Sequence, residues 1–185
     1  LLLWRTRRQK RKDGRSGVIS LSALQTQVLD ARLCEEIQQE LREAQRQIDH
    51  LLTTEQLSPV EAEVRVLSSL FPFTPDEVQT EAFSAHASGK DVVCCLPTGS
   101  GKTAAGVFAA FRALLRGKRL VYTTPLKALS GQKRREFQRI FGKDAVGLVT
   151  GDTSEYPEAP VVVMTTEIFR NMLYRGAETE RASSL

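Results

Sequence analysis

The residues best placed to do chemistry are contiguous: Leu96-Pro97-Thr98-Gly99-Ser100-Gly101-Lys102-Thr103. Two glycines, a lysine and a hydroxyl residue at this spacing suit the capture of phosphate. The backbone N–H groups of Gly99 to Thr103 can converge on phosphate oxygens, aided by the positive end of a following helix. Lys102 would reach the β- and γ-phosphates, and the Thr103 hydroxyl would hold Mg²⁺. Thr98, Gly99, Ser100, Gly101, Lys102 and Thr103 are therefore the candidate phosphate-binding residues of a nucleotide site.

The elements needed to position such a loop are legible on both sides. The apolar run Val92 to Leu96 reads as a strand entering it, and Thr103 to Leu115 as a helix leaving it. One departure stands at the first position, which is Leu96 and not glycine, so the loop must enter without that residue's φ freedom. The bland alternative is a surface turn that happens to contain Gly-Ser-Gly-Lys-Thr, and the correct flanks argue against it.

Further along, strands and helices alternate. A helix is expected from Asp76 to Ser88 and a strand over Arg119 to Thr123. Lys127 to Phe141 reads as a helix, Ala145 to Val149 and Val161 to Met164 as strands, and Glu167 to Tyr174 as the start of a last helix. This alternation predicts an α/β fold with a parallel sheet, flanking helices and ligands at the carboxyl ends of the strands. Before it, Leu21 to Leu52 has helical period, with Cys34, Ile37, Leu41, Ala44, Ile48 and Leu51 forming a heptad-like seam. Fewer than three heptads favours a helix packed on its own domain, with a protein partner along 21–52 as the other use of the seam. Ser58-Pro59 opens a second helix to about Leu70. Phe71-Pro-Phe-Thr-Pro75 breaks the pattern. The expected organisation is a basic disordered tail over 1–17, a helical extension over 18–70, the P-loop lobe over 71–176 and a disordered tail over 177–185.

Composition narrows the class. The 185 residues are 41% hydrophobic, enough for a real core, and no apolar run approaches the roughly 18 residues of a membrane span. Cys34, Cys94 and Cys95 lack metal-ligand spacing and read as residues of a reduced, intracellular protein, with Cys94 and Cys95 in the core. The net charge of +4 is uneven. Arg5, Arg7, Arg8, Lys10, Arg11, Lys12 and Arg15 face only Asp13, a net of +6, so the other 168 residues sum to −2. Such a tail fits RNA contact, a targeting remnant or a solvated end. The Arg- and Ser-bearing, acid-poor start is compatible with a transit-peptide remnant, and cytoplasm and nucleus stay open beside a plastid. The chain begins with Leu and reads as a fragment at that end.

Phosphate loops serve many enzymes, and the surrounding residues choose among them. Phe71-Pro-Phe-Thr-Pro-Asp-Glu-Val-Gln79 precedes the loop. Tyr122-Thr-Thr-Pro-Leu-Lys-Ala-Leu-Ser130, Val146-Gly-Leu-Val-Thr-Gly-Asp152 and Val163-Met-Thr-Thr-Glu-Ile-Phe-Arg-Asn-Met-Leu-Tyr174 follow it. In that order they resemble the first RecA-like motor lobe of superfamily 2 DExH-box RNA helicases, superkiller-type branch, cyanobacterial and plastid members. The resemblance implies ATP and Mg²⁺ as cofactors and RNA as partner, bound through its backbone. By motif position it assigns Gln79 to the adenine edge and Phe73 to its face. An amide donates and accepts in one plane, as that edge requires. It places Thr124, Pro125, Lys127, Gly151, Asp152, Thr165, Thr166 and Arg170 along the nucleic-acid track. Helix capping is the competing role for the Thr and Asp residues. Gly131 stands where these helicases usually carry Asn.

Hydrolysis in such motors needs an Asp-Glu pair at the end of an apolar strand. The resemblance places that box just after Tyr174, where Arg175 to Leu185 is polar and holds no such pair. Asp152 and Glu167 are each separated from the preceding strand and fall on the nucleic-acid side, so neither is expected to replace it. The sequence thus reads as an N-terminal helicase fragment, a partial lobe without the catalytic carboxylates, that binds ATP without turnover. A non-hydrolysing nucleotide-binding module that associates with RNA or a protein is the alternative. A P-loop phosphotransferase would need a lid and a catalytic acid that the sequence does not supply.

Overall fold

The computed structural model describes residues 32–182. The basic tail 1–17, the expected helical residues 21–31 and the last three residues of the 177–185 tail lie outside them. The chain divides into two compact units, one containing Gln38–Lys118, the other Arg119 onward with the short stretch ending at Ile37.

The first unit is helical. Helix α1 spans Glu35–Thr54, α2 Pro59–Ser68, α3 Glu77–Ala87 and α4 Thr103–Leu115. The starts of α2 and α3 are encoded locally. Ser58 and Asp76 are N-caps with reciprocal capping boxes to Glu61 and Gln79, which satisfy N–H groups that a helix start leaves unpaired. The α1 seam faces inward: Ile37, Leu41, Ala44, Ile48 and Leu51 are buried, and Cys34 partly so. A seam buried in its own chain is not open to a second one, so the partner surface expected along it is not exposed over the described residues.

An aromatic row forms the core beside the loop. Phe71 stacks on Phe83 at 5.5 Å, Phe83 on Phe108 at 4.3 Å, and Phe71 meets Phe111 edge-on at 6.1 Å. These rings come from the residues before α3, from α3 and from α4, so the packing fixes the two helices that flank the phosphate loop. A single guanidinium adds to this. Arg112 on α4 donates Nε to Glu63 of α2 at 2.7 Å, and its two terminal nitrogens to the carbonyls of His86 and Ala87 at 2.8 and 2.6 Å. It thereby pairs the Ala87 carbonyl at the end of α3 and adds a second hydrogen bond to the His86 carbonyl, which also accepts from the Gly89 N–H at 3.0 Å. Through this network α2 is joined to the P-loop helix, and both lie in the first compact unit.

The second unit carries the sheet. Strands β1 (Leu120–Thr124), β2 (Val146–Val149), β3 (Ser154–Glu155) and β4 (Val161–Thr165) lie in the order β1-β4-β2-β3. β4 is parallel to both β1 and β2, in register Tyr122↔Val163 and Leu148↔Val163, whereas β3 is antiparallel to β2. The central strand is buried from Val161 to Met164, as expected for a parallel strand covered on both faces. Helix α5 (Lys127–Phe141) supplies Phe137, which meets Tyr122 edge-on at 5.0 Å. On the other face Ala159, Val162 and Met164 pack with Ile168 and Phe169 of α6 (Thr166–Ala182). Helix α6 thus enters the 177–185 segment read as a disordered tail. Ala177-Glu-Thr-Glu-Arg-Ala182 holds no Pro or Gly, and most of it favours helix.

One expected element is missing. Residues 92–96 pair with no strand among the described residues and run without regular structure. A strand exists through its ladder, and without a neighbour the β-rich run has no partner for its N–H and C=O groups. Consequently Val93 is exposed, Cys95 is exposed and Cys94 only partly covered, so the two cysteines are not core residues. The two-residue β3 was not foreseen, being too short to show a period.

Candidate nucleotide and nucleic-acid sites

The loop candidates from Thr98 to Thr103 fall in the first unit and form one turn into α4. Gly99 and Gly101 have φ of +83° and +73°, left-handed values that favour glycine. Leu96 takes no positive φ, so the loop enters without the glycine whose absence the sequence flagged. Ser100 Oγ donates to the Pro97 carbonyl at 2.8 Å and ties the turn to its start. Lys102 folds back into the loop, its Nζ donating to the carbonyls of Leu96 at 2.7 Å and Pro97 at 2.5 Å. It also occupies the N-cap of α4 and makes no side-chain cap there, so no capping side chain covers the amino end of that helix. An ammonium held by neutral carbonyls beside a helix N-terminus can exchange them for an anionic oxygen with a net electrostatic gain.

Of the two adenine candidates, Gln79 is brought to the same loop, and Phe73 lies beside Phe71 in the segment before α3. Gln79 is the third residue of α3. Its N–H donates to Asp76 Oδ1 at 2.7 Å, and its Oε1 accepts from the Asp76 N–H at 3.1 Å. That fixes which way the amide points. Its Nε2 lies against Gly101, where a Cβ would collide with it. Phe73 is 48% exposed and meets Phe71 edge-on at 5.4 Å, so its ring ends the aromatic row with a free face. A core role for Phe73 is thereby ruled out. Among the described residues, no group of His, Cys, Asp and Glu could hold a metal. The Thr103 hydroxyl, the candidate for Mg²⁺, is an oxygen donor of the kind that ion takes alongside phosphate oxygens.

The nucleic-acid candidates lie in the second unit. Because β1, β2 and β4 are parallel, Thr124-Pro125, Gly151-Asp152 and Thr165-Thr166 all emerge at the carboxyl edge of the sheet. The structure separates their roles. Thr124 is buried; its hydroxyl donates to the Leu126 carbonyl at 3.0 Å and shares a 2.6 Å hydrogen bond with Ser130, so it organises the start of α5. Thr166 Oγ1 donates to the Thr124 carbonyl at 3.1 Å and ties α6 to β1. Thr165 is partly buried, while Pro125, Lys127, Gly151, Thr166 and Arg170 are exposed. Gly131 sits on α5 with room for a side chain: a Cβ there would meet only Arg135 Nη1, at 3.8 Å.

Lys127 is ion-paired with Asp152, whose other oxygen accepts from Thr150 Oγ1 at 2.9 Å. The hydrogen bond from Lys127, with that from Thr150, holds the Asp152 carboxyl below its ordinary value. The sequence puts Lys127 and Asp152 among the nucleic-acid candidates but does not pair them, since residues 25 apart carry no local signal of contact. Nor does it pair Arg112 with Glu63, for the same reason.

Comparisons with known proteins bear on the family. The DEAD/DEAH box helicase family profile matches residues 76–185. The chain is 50% identical over 113 residues to the probable helicase HelY of Mycobacterium tuberculosis, covering 61% of this chain and 12% of that protein. It is 51% identical over 110 residues to the chloroplastic DExH-box ATP-dependent RNA helicase DExH15 of Arabidopsis thaliana, covering 60% and 9%. It is 43% identical over 111 residues to the ATP-dependent RNA helicase mtr4 of Schizosaccharomyces pombe, covering 60% and 10%. The chain spans about a tenth of the length of these curated relatives. With its phosphate loop, its capped glutamine and the parallel edge, the chain belongs to the DEAD/DEAH box helicase family.

Proposed function

We propose that this chain is the ATP-binding and RNA-binding part of an ATP-dependent RNA helicase, and that its 185 residues do not suffice for hydrolysis. The observation that supports the reading best is the loop itself: two left-handed glycines, a lysine folded onto loop carbonyls, and a fixed amide beside Gly101. In this reading the backbone of Gly99 to Thr103 and Lys102 hold the phosphates. Thr103 holds Mg²⁺, which would screen the phosphate charge. Gln79 reads the adenine edge and Phe73 covers its face. At the sheet edge Lys127, Gly151, Thr166 and Arg170 contact the RNA backbone without reading bases.

Neither Asp152 nor Glu167 serves as the hydrolytic carboxylate. Asp152 is held by Lys127 and Thr150, and Glu167 opens α6 at the nucleic-acid edge. Lys102→Ala is expected to abolish binding of ATP to the chain while leaving its melting temperature unchanged. Equal affinity in wild type and variant would refute the site. Neither sample should release phosphate from ATP, and release by the wild type would overturn the hydrolytic part of the reading.

A further inference from the structure

At the carboxyl edge of the sheet, β4 lies between β1 and β2. Lys127 follows β1 and Asp152 follows β2, so their ion pair reaches across the end of β4. Neighbouring strands are about 4.8 Å apart, so the pair bridges roughly 10 Å. It passes over the point where Thr165 gives way to Thr166 and α6 begins. The carboxylate is not loose. Thr150 donates to its second oxygen at 2.9 Å, and the Thr150 N–H is bonded to the Thr153 carbonyl at 2.8 Å, which closes the turn that carries Asp152. The edge therefore presents a lysine already occupied by an oxyanion.

We propose that Asp152 is a built-in counter-charge that a nucleic-acid phosphate must displace from Lys127, so that Asp152 opposes RNA binding and selects a polymer over free anions. The inference rests on the RNA-binding reading of this edge. A free phosphate or mononucleotide that exchanges with the carboxylate replaces one ion pair by another and gains little. A strand that makes the same exchange recovers the loss through its further contacts at Gly151, Thr166 and Arg170. In this arrangement Asp152 is a specificity-determining residue and not an RNA contact.

The test is fluorescence anisotropy of a labelled oligouridine with the whole 185-residue chain at low salt. Asp152→Asn keeps the shape and the Thr150 hydrogen bond and removes the charge. It is expected to tighten RNA binding about two- to fivefold, the scale of an exposed ion pair. Inorganic phosphate should also compete with the oligonucleotide at lower concentration in the variant. Glu158→Gln is the control, because it removes the same charge at the amino end of the sheet, where Glu158 pairs with Arg119 at 2.9 Å. It should leave RNA affinity unchanged. Unchanged or weaker RNA binding by Asp152→Asn would overturn the proposal, and so would equal tightening by both variants, which would mean net charge alone is at work. Lys127→Ala separates the two levels of the argument. If it does not weaken RNA binding, the RNA reading of the edge fails. If it weakens binding while Asp152→Asn is silent, only the role given to Asp152 fails.

Discussion

The Gln79 amide fills the space that a side chain on Gly101 would need, so the capped start of α3 and the glycine-rich loop meet at one pair of residues. Gly101 is constrained twice, by a φ of +73° and by this contact, whereas Gly99 has a similar φ of +83° and nothing within 4 Å of a built Cβ. Left-handed backbone in a non-glycine residue costs about 1–2 kcal/mol. Gly99→Ala should therefore weaken ATP binding moderately, and Gly101→Ala by a further tenfold or so, because the amide must also move. Titration with a fluorescent ATP analogue checks the ranking. Equal losses would mean that the amide contact is immaterial.

Asp76 sets the direction of that amide. Its carboxylate accepts from the Gln79 N–H, and its own N–H donates to Gln79 Oε1. Asp76→Ala should cost about 0.5–2 kcal/mol through loss of the cap. It should also narrow the preference for ATP over GTP, because the amide is released. Asp76→Ser, which restores a cap, should recover both. Loss of stability with an intact base preference would show that Asp76 only starts the helix.

The buried pair Arg112–Glu63 joins α2 to the P-loop helix, with side chains 5% and 11% exposed. Removing one partner of a buried pair leaves the other charge uncompensated, at about 3–5 kcal/mol. Glu63→Gln should lower the urea midpoint far more than Arg65→Ala. The latter breaks an exposed pair with Glu55, worth about 1 kcal/mol or less. Similar midpoints for the two variants would contradict the burial of this network.

His86 titrates abnormally low. Burial, then the charges of Arg112 and Arg116, push it from its ordinary value down to about 4, with Glu63 opposing. A histidine whose folded value lies below its unfolded one binds more protons when unfolded, so acid favours unfolding. Its contribution is fully present above about 6.5 and is lost as pH falls toward about 4. Stability should decline over this window by up to about 1 kcal/mol per pH unit on account of this residue. His86→Phe, which keeps an edge contact with Phe108, should flatten that part of the profile. An unchanged slope in denaturation series at several pH values would remove His86 as the cause.

Local chemistry made much of this legible. The helix Lys127 to Phe141 was expected at the bounds observed, and Ser58 and Asp76 cap the helices they were expected to open. The loop glycines take the backbone values that their type permits. In each case the deciding interactions lie within about four residues along the chain. The parallel sheet also followed from sequence, since alternating strands and helices leave few other arrangements.

Other readings failed where the decision lay elsewhere in the chain. Residues 92–96 have the composition of a strand, but a strand needs a partner, and none pairs with them among the described residues. The α1 seam, by contrast, was expected to pack on its own chain, and the burial of Ile37, Leu41, Ala44, Ile48 and Leu51 agrees. The link that Arg112 makes from α4 to Glu63 of α2 likewise spans 49 positions and has no local signal.

By itself, then, the sequence determined the phosphate loop, the helix caps and the family, because those are written in short runs of residue types. The tertiary structure decided that Gln79 lies against Gly101, that Arg112 is neutralised by Glu63 and that Lys127 is held by Asp152. Those contacts join residues 22, 49 and 25 positions apart. Contacts at that range depend on how whole elements pack, and no periodicity or local propensity encodes them.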